Sequence, residues 1–215
     1  MTSASTITSV VTPAVSYDLV DLATVTQELG TAPGDDTIIA RLISRASVSI
    51  AQYCNRVLVA EIVKDEFWPQ RDPSPRSIPG GVAPLQLTRW PVIEINSVTE
   101  NGNALIDGTD FRTDKPRGQL TRLDGSGYPR TWPALAIAVQ YKGGYDDVPA
   151  DIQDATLRMV RARWLGRNRD PLLRQESIPG VRDVTYWVPS SDSNGNMPPD
   201  VADILDNYRA PVVAA

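Results

Sequence analysis

The sequence contains no histidine and a single cysteine, Cys54. Without histidine, the side chain most often used for acid–base and triad catalysis is missing. One cysteine cannot form a disulfide within the chain, and it argues against zinc or iron–sulfur sites. Cys54 falls on the apolar side of a predicted helix, which favours a core position over a reactive thiol. We therefore expect no catalytic residue, no metal and no cofactor.

Long hydrophobic runs and excess positive charge are also missing. No apolar run reaches the roughly 18 residues that a membrane-spanning helix needs. The N-terminus lacks a basic region followed by an apolar core, so no signal peptide is predicted. The 215 residues include 26 acidic and 21 basic side chains, which gives a net charge of −5. This balance disfavours a protein that grips nucleic acid through its phosphates.

The best-defined element is a helix of roughly 18 residues that Val148-Pro149 opens and Pro171 ends, since proline suits the first helical turn. Asp154, Arg158 and Arg161 share one face of this helix, with Asp154 and Arg158 spaced to form an ion pair. The other face carries an apolar stripe at helical spacing: Ile152, Ala155, Met159 and Ala162.

Two shorter helices are predicted upstream, over residues 17–29 and 35–55. Asp21 is the candidate N-cap of the first helix, and Gly30 stands where a helix commonly ends. The second helix follows the i, i+3, i+4, i+7 apolar pattern. Its polar side is either an interface or a solvated face, and it carries two arginines: Arg41 and Arg45.

Between these helices and the long helix, the sequence has the alternation and turn signals of short strands. Asn101-Gly102 predicts a hairpin turn, and the apolar run over 135–141 predicts a last, buried strand. A proline-rich loop covers 69–84, and loops of this length are usually functional or disordered. The order of elements predicts an α+β fold, in which a helical core packs with a small antiparallel β-meander.

Three segments are predicted along the chain. Residues 1–15 carry no charge, which indicates a flexible arm or a strand that orders only against a partner. Residues 16–170 form the α+β domain. Residues 171–215 form a tail with a loop or hairpin, a polar linker over 189–199 and a short terminal helix. The apolar stripe of this helix must dock on its own domain or on a neighbour: Val201, Ile204, Leu205 and Tyr208.

In combination, these pieces resemble the head–tail connector (adaptor, or head-completion) proteins of tailed bacteriophages and gene transfer agents. The chain departs from the family pattern at the proline-rich loop and at the polar linker. The stretches that carry the resemblance are DDTIIARLISRASVSIAQYCNR (35–56), RWPVIEINSVTENG (89–102), DGTDFRTDKPRGQL (107–120), YKGGYDDVPADIQDATLRMVRARW (141–164), an ES-I-x-G…Y pattern (176–186) and LDNYR (205–209).

The resemblance implies a structural virion protein without catalysis. Such adaptors are expected to form a twelve-fold ring under the portal vertex, which extends the DNA channel and docks the next neck or tail protein. The implied partners are the portal protein, other copies of the chain, a stopper or tail-terminator protein, and duplex DNA that passes without specific binding. The resemblance implies no membrane partner. The implied location is the virion neck, with the host cytoplasm during assembly.

The resemblance also assigns roles to residues. It implies that the terminal stripe docks on the portal: Val201, Ile204, Leu205 and Tyr208. Four arginines are candidates for the ring interface, where they would meet acidic patches on a neighbouring copy: Arg158, Arg161, Arg41 and Arg45.

A rival hypothesis is a carbohydrate-binding module of a phage tail or baseplate. It rests on tryptophans that would stack on sugars if they are exposed, but that are otherwise core or interface anchors: Trp68, Trp90, Trp132, Trp164 and Trp187. The paired acids at 35–36 and 146–147 precede helices, which favours helix capping over a metal site or an acid–base pair. The loop over 107–114 lacks the spacing and the closing glutamate of a calcium site.

Overall fold

The fold is α+β, as predicted, and it separates into two compact units. One unit, formed by residues 1–15 and 59–146, holds the two larger sheets. The other, formed by residues 16–58 and 147–215, holds the helices and one hairpin. This division cuts across the predicted 16–170 domain. The computed structural model describes residues 5–32, 34–68, 84–133, 135–167, 175–178, 182–185 and 197–210.

The sheet unit contains nine strands in its described part. They are β1 (Ser5–Thr12), β2 (Glu61–Trp68), β3 (Leu85–Gln86), β4 (Val92–Glu100), β5 (Asn103–Ala104), β6 (Phe111–Asp114), β7 (Gln119–Leu123), β8 (Pro129–Arg130) and β9 (Ile137–Gly143). The predicted hairpin turn joins β4 to β5, with Asn101 and Gly102 at the positive φ values of 49° and 84° that such a turn requires.

Five of these strands form an antiparallel sheet in the order β1-β2-β9-β4-β5. A second sheet has the order β3-β7-β6, with β8 paired to β7. The strands are antiparallel as expected, but the large sheet is not a simple meander, because β9 inserts between β2 and β4. β9 buries alternate residues on one face of this sheet: Ile137, Val139, Tyr141 and Gly143.

The predicted N-terminal arm contributes an edge strand. Residues 5–12 form β1, which pairs with β2 of the same chain. The sequence allowed a flexible arm or a strand that orders only against a partner, and here β2 supplies the backbone partners of residues 5–12. β1 carries no charged side chain, and Ile7 and Val10 remain 55% and 50% exposed. Uncharged, partly apolar edges of this kind are available for further pairing.

A buried carboxylate joins several parts of the sheet unit. Asp65 of β2 is fully buried. It accepts hydrogen bonds from the Tyr141 hydroxyl at 2.8 Å, from the Thr88 N–H at 2.9 Å and from the Thr8 hydroxyl at 2.8 Å. The Tyr141 oxygen in turn accepts from the Arg89 N–H at 2.9 Å. β1, β2, β9 and the segment between β3 and β4 are thus fixed to one another. Around this network lies an apolar core: Val63, Phe67, Leu87, Val92, Val98, Phe111, Leu120, Ile137 and Val139.

The glycine pair at the end of β9 is required by close backbone approach. A Cβ on Gly143 would lie 2.7 Å from the Arg89 carbonyl oxygen, and one on Gly144 would lie 2.6 Å from the Val59 carbonyl oxygen. Gly144 also has a φ of 111°, which side-chain-bearing residues rarely adopt. The pair therefore ends the strand where no larger residue fits.

The helical unit is built from α1 (Leu22–Leu29), α2 (Asp36–Tyr53), α3 (Ala150–Leu165) and α4 (Pro199–Leu205), followed by a 3-10 turn (Asp206–Tyr208). The tail hairpin consists of β10 (Gln175–Ile178) and β11 (Arg182–Thr185). α1 begins at Leu22 rather than at residue 17. The predicted cap and end are confirmed, since the Asp21 carboxylate accepts from the Thr24 N–H at 2.7 Å and Gly30 has a φ of 59°. The proline-rich loop and most of the polar linker lie outside the described residues.

The helices pack in sequence, α1 on α2, α2 on α3 and α3 on α4. Their buried faces contain most of the predicted stripes: Val25, Ile39, Ile43, Ala46, Ile50, Ile152, Ala155, Met159, Val160 and Trp164. Ala162, predicted on the stripe of α3, is exposed instead. Cys54 is fully buried, which confirms the core position. None of the described helices is both long and apolar enough to cross a bilayer.

Replacing Tyr141 by phenylalanine is expected to lower the free energy of unfolding by about 1–3 kcal/mol, because Asp65 loses a buried donor and the Arg89 N–H loses its acceptor. Denaturant titration of the full chain measures the loss. Tyr128→Phe is the matched control, since Tyr128 is 70% exposed and a surface change of this kind stays within about 0.5 kcal/mol. Equal stability of the two variants would contradict the network.

Gly144→Ala is expected to destabilise the chain by more than about 1 kcal/mol, because the added methyl meets backbone and the φ is unfavourable. Gly125→Ala serves as control, since a Cβ at Gly125 meets nothing within 4 Å. Thermal unfolding of both variants against the unmodified chain tests this. A Gly144→Ala protein as stable as its control would show that the strand end can shift to make room.

Burial raises the pKa of the Cys54 thiol from 9.0 to about 11. We expect iodoacetamide at pH 8 to label the native chain far more slowly than the chain in denaturant, since both access and thiolate are lacking. The raised pKa also has a stability consequence: its contribution is complete below pH 9 and is lost as the pH rises through about 11. Fast native labelling, followed by mass spectrometry, would contradict the buried position.

Candidate functional site

All eight candidate site residues lie in the helical unit. Four belong to the C-terminal segment, two to α2 and two to α3. Within the described ranges, no group of three or more cysteine or carboxylate side chains is placed to hold a metal ion. The packing of α2, α3 and α4 decides which of the candidate residues are exposed and which are buried.

The terminal stripe packs inside its own unit. Val201 and Leu205 are 1% and 0% exposed, and Ile204 and Tyr208 are partly buried. Since α4 packs on α3, the stripe takes the first of the two alternatives that its sequence allowed. Val201 and Leu205 cannot contact another protein while α4 stays in this position. A portal-docking role for the stripe remains a prediction.

Polar contacts fasten the end of this segment to α2 and α3. The Tyr208 hydroxyl donates to Asp151 at 2.6 Å, at the start of α3, and the Tyr53 hydroxyl donates to Asp206 at 2.7 Å. The Ala210 N–H donates to the Cys54 carbonyl at 2.8 Å. Burial, and then the bond to Asp206, raise the pKa of Tyr53 to about 12. The LDNYR residues (205–209) thus hold the C-terminal segment against α2 and α3.

The side of α4 that faces solvent is acidic. Asp200, Asp203 and Asp206 are exposed at helical spacing along it. Asp200 and Asp206 have partners in the unit, Arg158 and Tyr53. A protein that contacts α4 in this position would meet these carboxylates rather than the apolar stripe.

Arg158 is occupied by contacts within the chain. Its Nε lies 2.8 Å from Asp154, which confirms the predicted ion pair, and its Nη1 lies 3.5 Å from Asp200 of α4. The hydrogen bond to Asp154 is the main cause that raises the pKa of Arg158. Arg161 is exposed, and no carboxylate of the described residues forms an ion pair with it. The structure therefore separates two residues that the sequence had grouped together.

Arg41 and Arg45 are exposed on α2, and a further arginine, Arg163 of α3, contacts the same helix. Arg163 donates from Nη2 to the Ser49 hydroxyl at 3.1 Å. Burial lowers the pKa of Arg163, and the neighbouring Arg45 guanidinium lowers it further. Sequence reasoning missed Arg163. The available signal was its spacing, four residues after Met159, which places a basic side chain on the buried stripe of α3.

The described tryptophans do not form an exposed stacking face. Trp164 is buried, with the Arg167 guanidinium 3.7 Å from its ring centroid. Trp132 is partly buried and donates to the Leu120 carbonyl at 3.1 Å, and Trp90 is also partly buried. Trp68 is half exposed on β2. Trp187 lies outside the described residues.

Comparison with known proteins gives a result for structure alone. No protein-family model matches the chain, and no curated protein matches its sequence. Solved structures do match. A chain in the virion of a native gene transfer agent particle aligns with a TM-score of 0.55 and 14% identity over 97% of both chains.

The neck of the same kind of particle matches as well. A chain in the neck of the native gene transfer agent particle, computed with C12 symmetry, aligns with a TM-score of 0.54 over 97% of both chains. A chain in the neck of the empty particle, computed with C6 symmetry, gives the same values. The chain has the fold of a gene transfer agent neck protein. This likeness confirms, at the level of the fold, the resemblance to connector proteins read from the sequence.

Proposed function

We propose that the chain is a structural virion protein, a head–tail connector that forms a ring beneath the portal vertex and extends the DNA channel. The observation that carries this proposal is the fold shared with neck chains along 97% of the length. One of those necks was computed with twelve-fold symmetry. The sequence motifs of the connector family, spread from 35 to 209, support the same assignment.

The distribution of charge suits such a ring. A ring made from one kind of chain needs two different surfaces that complement each other head to tail. The helical unit offers basic positions on α2 and α3, and exposed acids on α4. The net charge of −5 is compatible with a channel through which duplex DNA passes without being held, since phosphate binding requires an excess of basic groups.

The proposed partners are the portal protein on one side and a stopper or tail-terminator protein on the other. The ring would assemble in the host cytoplasm and remain in the virion neck. We assign the portal contact to the C-terminal segment as a whole, in which Ile204 and Tyr208 keep some accessible surface. No exposed pair of tryptophans among the described residues favours the carbohydrate-binding alternative.

Co-assembly with the portal protein of the same particle tests the proposal. We expect negative-stain images and light-scattering masses to show closed rings bound to portals, with about one adaptor chain for each portal chain. The connector function would be contradicted if the chain formed rings neither alone at high concentration nor on portals. Turnover of a substrate would favour an enzyme, and affinity for a glycan panel would favour the carbohydrate-binding module.

Arg161→Glu is expected to weaken ring formation and to leave the unfolding of the monomer unchanged, because Arg161 is exposed and has no described ion-pair partner. Arg112→Glu is the control for the same change of charge on the sheet unit, since Arg112 is also exposed and forms no ion pair with a described carboxylate. Sedimentation of both variants across a concentration series measures assembly. Unchanged assembly would make Arg161 part of a solvated face.

A further inference from the structure

The outer edge of β1 pairs with no strand of the described residues, since β1 ends the strand order of the five-stranded sheet. Natural sheets usually protect such an edge with charges or prolines, because its free N–H and C=O groups pair readily with another strand. β1 has neither a charged residue nor a proline. Its register with β2 is regular over residues 5–10 and shifts only before Thr12, so this stretch can accept a further strand.

The inner face of the sheet is left incompletely covered at β1. Thr8 donates to the buried Asp65, so alternation places Thr6, Thr8 and Val10 on the inner face. Val63, the partner of Val10 on β2, is 0% exposed, whereas Val10 is 50% exposed. Thr6 is exposed as well. A strand added beside β1 would cover this row and complete the inner face.

The same chain contains a hairpin that needs a further strand. β10 and β11 pair only with each other among the described strands, and they form a sheet of their own. A two-stranded hairpin is marginally stable in water, and a third strand is one of the additions that stabilise it. Each strand of the hairpin has four residues, which fit within the regular stretch of β1.

The connections of the hairpin are long enough for it to reach beyond the helices. Residues 168–174 join the end of α3 to β10, and residues 186–196 join β11 to the segment that contains α4. At about 3.3 Å per residue, the shorter connection can span at most roughly 23 Å. Because α3 and α4 pack together, the hairpin lies on an excursion that begins and ends at the same pair of helices.

We propose that the hairpin of one copy adds to the β1 edge of the neighbouring copy. The inference rests on the proposed ring, and it identifies one of the ring's contacts. Backbone hydrogen bonds supply the affinity in strand addition of this kind. Two different surfaces of the chain meet in it, which is what a closed ring requires, whereas pairing of β1 with β1 would be symmetric and would stop at a dimer.

Crosslinking between two cysteine variants tests the contact directly. Ser9→Cys places a thiol on β1, where Ser9 is exposed, and Ser177→Cys places one on β10. Equal amounts of the two variants are assembled, alone or on portals, then treated with a short bis-maleimide and digested. We expect a mass-spectrometric link between positions 9 and 177, which must join two chains because each variant carries only one of the two new thiols.

Two controls accompany the crosslinking. Ser126→Cys replaces Ser9→Cys in a parallel mixture, since Ser126 is an exposed serine of the sheet unit that lies outside β1. It should give little or no link to position 177. The unmodified chain measures any reaction of Cys54, which is buried.

A charge on the edge gives the energetic counterpart. We expect Ile7→Lys and Val10→Lys each to raise the concentration for half-assembly by about tenfold or more, because lysine on an edge strand opposes strand addition. Val15→Lys is the matched control, since Val15 is fully exposed and follows β1, and it should assemble like the unmodified chain. Thermal unfolding of the monomers separates an assembly defect from a folding defect.

The outcomes separate this inference from the proposed function. If the unmodified chain forms no ring alone or on portals, the connector function fails and this contact fails with it. If rings form and position 9 links only to position 9 of another copy, to the portal or to nothing, the connector function stands and the contact is overturned. Unchanged assembly of both Ile7→Lys and Val10→Lys would overturn it as well.

Discussion

The burial of one carboxylate, Asp65, sets the arrangement of the sheet unit. A buried carboxylate must have its hydrogen bonds satisfied, and the donors of Asp65 come from β1, β9 and the segment after β3. The N-terminal strand is held on its edge by the same group that orders the centre of the sheet. Burial, and next the charge of Asp65, raise the pKa of the Tyr141 hydroxyl, which keeps its proton for this bond.

In the helical unit, the C-terminal segment packs back on the helices that precede it. The terminal stripe covers α3, and the residues that follow it bond to the end of α2 and the start of α3. Arg158 is held in the same way, since Asp154 of α3 and Asp200 of α4 both lie near its guanidinium.

Local features were predictable from the sequence, because each depends on neighbouring residues. The Asp21 cap, the Gly30 end, the Asn101-Gly102 turn and the Asp154–Arg158 pair are of this kind. The Asp65 network was not predictable, since Thr8 and Tyr141 lie 57 and 76 residues from it. The apolar stripe of the terminal helix indicated that one face of that helix is covered. Amphipathic spacing does not show which element covers it. Likewise, the contact of Arg163 with Ser49 of α2 joins residues that lie 114 positions apart in the sequence.

The most direct test of the connector assignment is the mass of the assembled protein, measured by light scattering at high concentration and with the portal, together with negative-stain images. We predict closed rings with a central opening wide enough for a DNA duplex, with a mass near twelve chains. A chain that stays monomeric under both conditions, or that forms open filaments without a channel, would contradict the assignment.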